Sequence, residues 1–67
     1  MKPISFKGKK LFPQSQTFLN NLNPGDLFQL KHNPSVFTVH KDAYPTDEKG
    51  ETKFLPESMP VVPLKAF

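Results

Sequence analysis

The chain has no cysteine, no tryptophan and no arginine among its 67 residues, and only three glycines. Each shortage removes a class of chemistry. Without cysteine there is no disulfide and no thiolate metal site. That composition fits a reducing compartment. Two histidines are too few for a zinc centre on their own. Isolated glycines build no phosphate-cradling loop. No serine or threonine stands in a nucleophile-elbow context. The spacing of Asp47, Glu48 and Glu51 matches no calcium loop. A histidine beside a carboxylate does acid–base work only when held in a cleft. His32 and His40, near Asp26 and Asp42, read as surface residues at strand ends. The expectation is a protein that is not an enzyme, with no catalytic residue, metal ligand or cofactor.

Long apolar runs are missing too. Nothing approaches the roughly 20 residues that span a bilayer. The N-terminal lysines are not followed by the apolar stretch of a signal peptide. A cytoplasmic protein without a membrane partner is expected. The lack of arginine removes the bidentate fork that reads guanine edges and phosphates. Lysine still neutralises phosphates without reading sequence. The net charge of +3 is unevenly spread. Residues 1–10 hold Lys2, Lys7, Lys9 and Lys10 and no acid, while five lysines oppose six acids in the remainder. The chain therefore reads as a basic N-terminal arm, 1–13, and a near-neutral single domain, 14–67.

What the chain does have is phenylalanine and proline, seven and eight residues respectively. Phenylalanine supplies large buried area with no polar atom to satisfy. Proline on this scale argues against long helices. A chain this short buries only about 60% of its unfolded surface, so stability is marginal.

The arm contains an alternation, Ile4 and Phe6 against Ser5 and Lys7, that suits either an edge strand or a frayed terminus. Residues 15–22 carry Phe18, Leu19 and Leu22 at helical spacing. They predict one helical turn that lays Phe18 and Leu22 over one end of a sheet. Asn23-Pro24-Gly25-Asp26 predicts a type II turn with a positive φ at Gly25. Asp26 to His32 alternates, with Phe28 and Leu30 on one face. After Asn33-Pro34, Ser35 to Tyr44 predicts a second strand, with Phe37 and Val39 facing one way and Val36 and Thr38 the other. The short connection favours an antiparallel hairpin. A polar loop at 45–50 leads to a third predicted strand at 51–55. Pro60 and Pro63 then place the last apolar strand, Met59 to Leu64, at an edge or a bulge.

Together these elements predict an all-β fold, a small bent barrel with one short N-terminal helical turn. Leu22-Asn-Pro-Gly-Asp-Leu-Phe28, Val36-Phe-Thr-Val39, Gly50-Glu-Thr-Lys-Phe54 and Val61-Val-Pro-Leu64 carry a resemblance across residues 22–64. The chain resembles small SH3-like barrels, in particular short uncharacterised proteins of bacteriophages and bacteria. Such barrels serve many unrelated functions. Peptide-binding members use a tryptophan and paired tyrosines that this chain lacks. The resemblance implies a non-enzymatic protein-binding module, such as a phage-encoded modulator acting in a host cytoplasm.

Two surfaces are candidates. The apolar end, Val61, Val62, Leu64 and Phe67, offers strand addition to a partner protein or a sister chain, giving a homodimer. The rival is a nucleic-acid interface built on Lys2, Lys7, Lys9 and Lys10, with Phe6 and Phe12 as stacking faces and Lys31, Lys41 and Lys53 as extensions.

Overall fold

The computed structural model describes residues 3–66. The chain is mainly β, as expected. Its strands are β1 (Ile4–Phe6), β2 (Lys9–Pro13), β3 (Thr17–Phe18), β4 (Leu27–Leu30), β5 (Asn33–His40), β6 (Ala43–Thr46) and β7 (Pro60–Ala66). They form one antiparallel sheet in the order β1-β2-β7-β4-β5-β6, with β3 also paired to β7.

The first hairpin is a matter of turn chemistry. Lys7 and Gly8 both have positive φ, 49° and 77°. A two-residue turn of that hand matches the twist of the strands it joins. It sets Phe6 opposite Lys9 and Ile4 opposite Leu11. The basic stretch is therefore not an arm hung on the domain. Leu11 is 1% exposed and belongs to the core.

The predicted turn at Gly25 forms, with φ at 91° and Asp26 N–H donating to the Asn23 carbonyl at 3.0 Å. The Asp26 carboxylate in turn accepts from Asn23 N–H at 2.8 Å. The β4–β5 hairpin also forms, closed by Lys31 and His32 between Leu30 and its partner Asn33.

Four expectations are corrected. The long second strand is two: Asp42 takes a positive φ of 57°, which aspartate tolerates in turns, and His40 then pairs with Ala43. The strand expected at 51–55 reduces to a single bridge between Thr46 and Thr52. The helical turn of 15–22 shrinks to a 3₁₀ turn, Leu19–Asn21, preceded by β3. There Leu19 is buried and Phe18 is half exposed, because a 3₁₀ turn directs different residues inward than an α-helix does.

The fourth correction concerns β7, which is central rather than at an edge. It pairs with β4 on one side and with β2 and then β3 on the other. Its prolines are accommodated by position. Pro63 has no N–H to donate, and it falls where β2 has ended and β3 has not begun. Its carbonyl accepts from Gln14 N–H at 2.8 Å in that gap.

Alternation along the strands buries residues on both faces of the sheet. Phe28, Phe37 and Val61 cluster with Leu19 on one face, with Leu55 and Met59 packed against them. The Phe28 and Phe37 rings stack across the β4–β5 ladder, 5.3 Å between centroids. Leu11, Val36 and Leu64 cluster on the other face, joined by Ile4, Phe6 and Leu27. In a flat sheet the three strand spacings from β2 to β5 would hold Leu11 and Val36 about 14 Å apart. Their shared cluster requires the sheet to curl into a half-barrel with this face concave. Register shifts in the β4–β5 and β5–β6 ladders supply bending and extra twist.

Phe28→Ala is expected to destabilise the fold by about 3–5 kcal/mol, comparable with the whole stability of so small a domain. Phe18→Ala, on the surface, should stay within about 0.5 kcal/mol of wild type. Urea titration followed by circular dichroism checks both.

Candidate functional site

The structure disperses the residues that the sequence marks as an apolar interface. Val61 is 0% and Leu64 6% exposed, both in the core. Val62 is half-buried in the middle of the sheet, opposite Gln29. Phe67 and Lys2 lie outside the described residues. The apolar end is the sheet's central strand, so strand addition along it is blocked by β4, β2 and β3. The histidines also separate. His32 precedes β5 and His40 ends it, and neither forms an ion pair with a described carboxylate. His40 Nε2 instead shares a 2.7 Å hydrogen bond with Thr46 Oγ1.

A different surface is assembled at the β6 edge. Lys53 N–H donates to the Pro45 carbonyl at 2.8 Å. This bond and the Thr46–Thr52 bridge lay residues 52–54 beside β6. Pro45 turns inward and is buried, while Tyr44 turns outward. The result sets Phe54 against Tyr44, ring centroids 4.9 Å apart and planes at 68°. Edge-to-face geometry of this kind suits the ring quadrupoles. Both rings stay in solvent, Tyr44 53% and Phe54 77% exposed.

Next to the pair lies a groove of about 500 Å³. Leu19, Val39, Ala43, Pro45 and Leu55 give it apolar walls, and His40, Asp42 and Glu57 stand among its polar lining. Its far wall is pinned to the 3₁₀ turn. Leu19 N–H donates to the Met59 carbonyl and Asn20 N–H to the Glu57 carbonyl, each at 2.9 Å. The groove thus joins three separate pieces of chain, residues 19–20, 39–45 and 55–57.

The acidic loop before it is a structural clasp. Asp47 Oδ1 accepts from Lys49 N–H and Glu51 N–H, each at 2.9 Å. Lys53 Nζ lies 3.7 Å from Asp47 Oδ2 and 3.6 Å from Glu51 Oε2. Glu48 reaches back to accept from Val36 N–H at 2.8 Å, satisfying a β5 donor that β6 does not pair. Among the described residues no three histidines, aspartates or glutamates gather as a metal site. No helix there is long and apolar enough to cross a membrane.

The lysines divide as well. Lys53 is engaged in the clasp, and Lys31 and Lys41 sit in turns at opposite ends of β5, roughly 25 Å apart along the strand. Comparison of the chain with protein-family models, with curated proteins and with solved structures returns no match.

The Glu51 N–H bond, with help from the Lys49 N–H and the Lys53 charge, holds the Asp47 carboxyl below its ordinary value against a smaller opposing effect of burial. A depressed carboxyl pKa gives stability that is complete above the ordinary aspartate range. That stability is lost as pH falls through the folded value. The clasp should therefore open only below the ordinary aspartate range, seen as shifts of the Lys49 and Glu51 amide resonances in acid. Asp47→Asn keeps an acceptor but not the charge, and should remove that titration.

Proposed function

We propose that the protein is a non-enzymatic binding module, a small SH3-like barrel that grips a partner protein through the Tyr44–Phe54 pair and the groove beside it. One observation carries this reading: two packed aromatic rings, held in solvent beside an apolar-walled groove. Burying such rings is costly to forgo, since fully covering an aromatic side chain is worth roughly 1.5–3 kcal/mol. Exposed aromatics that flank a concave surface are the usual anchors of protein interfaces. The curled antiparallel sheet supports the barrel part of the reading.

The pair is also built in a way that favours recognition. Its two residues come from β6 and from a segment tied to β6 by backbone hydrogen bonds. The rings therefore meet a partner with little conformational freedom left to lose. The acidic clasp maintains that arrangement without lining the groove.

The test compares tagged wild-type protein with the Tyr44→Ser/Phe54→Ser double variant in native pull-downs treated with nuclease. Wild type should retain one dominant protein that the variant recovers at least ten-fold less well. Both substitutions are on the surface, so circular dichroism should show an unchanged fold. Equal recovery by the two, or nothing retained by wild type, overturns the reading.

A further inference from the structure

The groove beside the aromatic pair carries charge of one sign. Asp42 and Glu57 line it, and no lysine does. Lys41 adjoins Asp42 in the chain but is not part of the lining. The chain as a whole has a net charge of +3, so the groove runs against the general balance. The described ion pairs are those of Lys53 with Asp47 and Glu51. Both groove carboxylates are therefore without a cation among the described residues, and both residues are exposed. The His40 imidazole is engaged through Nε2 with Thr46 Oγ1. The fold uses the main chain of the two acids and not their side chains. Asp42 makes the β5–β6 turn with φ at 57°, a conformation that asparagine or glycine adopts as readily. Glu57 holds the 3₁₀ turn through its carbonyl, which accepts from Asn20 N–H at 2.9 Å. Leu19, Val39 and Leu55 wall the same groove, so an occupant meets hydrocarbon and carboxylate together.

We infer that the partner enters this groove with a segment bearing lysine or arginine among apolar residues, its cation set toward Asp42 and Glu57. The inference rests on the groove reading above and adds the chemistry of the occupant. Lysine and arginine match such a lining, because their methylene stems cover apolar surface while the charged head stays at the wet rim. An acidic segment would be drawn to the chain by its net positive charge and then turned away at the groove, where like charges meet. A wholly apolar segment would cover two carboxylates with no counter-charge, a desolvation cost that nothing offsets. Charge thus selects the partner, while the Tyr44–Phe54 pair supplies contact area.

The measurement is selection from a phage-displayed library of random peptides on the immobilised full chain, followed by fluorescence anisotropy of the strongest selected peptide. Lysine or arginine beside apolar residues should be enriched on wild type. On Asp42→Lys/Glu57→Lys the enrichment should move to aspartate and glutamate. The selected peptide should bind Asp42→Asn/Glu57→Gln about five-fold more weakly, the loss expected for two partly exposed ion pairs. Its affinity for wild type should fall as salt rises from about 50 to about 200 mM. Asparagine keeps the turn at position 42, so circular dichroism should be unchanged. Tyr44→Ser/Phe54→Ser should weaken the same peptide. Enrichment of peptides without a cation, or equal binding by the neutral Asp42/Glu57 variant, overturns the inference; the groove reading survives that result when the Tyr44/Phe54 variant still binds the selected peptide more weakly. Equal binding by the Tyr44/Phe54 variant overturns both. A library that yields no binder overturns the inference alone, since the pull-down tests the groove separately.

Discussion

Phe28 sits at the intersection on which the rest of the structure depends. It is fully buried, stacked on Phe37 across one ladder and paired with Pro63 across the other. Those two neighbours connect the β4–β5–β6 meander to the strand that carries β2 and β3. A sheet this short cannot hide enough apolar area behind one face. Curling lets it bury both, with an aromatic cluster under the 3₁₀ turn and an aliphatic one inside the bend. The proline opposite Phe28 is tolerated because its missing donor falls in the gap between two partner strands.

That two-faced burial decides what the surface can offer. Strands buried on both sides lose the clean alternation that would mark one side as solvent-facing. The large apolar residues left outside sit at the margins of the sheet: Phe18 on the two-residue β3, Tyr44 on β6 and Phe54 beside β6. Tyr44 follows the Asp42 turn and Phe54 lies on a segment too short to become a strand.

Much of the architecture is legible in the chain. Pro24-Gly25 forces its turn, Phe28 with Leu30 and Phe37 with Val39 fall on the faces that alternation assigns them, and a Phe-rich, Pro-rich composition gives a mainly β domain. Local preference misleads where tertiary pairing overrides it. Proline in β7 suggested an edge, yet the residue's tolerance depends on which partner strand happens to be interrupted beside it. Asp42 is an ordinary residue for a strand end until its φ turns positive. Thr52 and Phe54 alternate like a strand but find only one ladder partner. The groove was harder still, since its walls come from three stretches of chain and no local pattern announces them. A tyrosine just beyond an Asp turn, followed by proline, was the nearest available signal.

The place of β7 has a consequence for how the protein is made. Among the described strands it follows all the others in chain order, and it is the one that β2, β3 and β4 all need. Leu11 waits for a partner about fifty residues downstream. Until then its hairpin and the β4–β6 meander are two unjoined fragments with apolar faces uncovered. Joining them depends on a pairing distant in sequence, the kind that is slow to form. During that interval the nascent chain is most exposed to chaperones, proteases and other nascent chains.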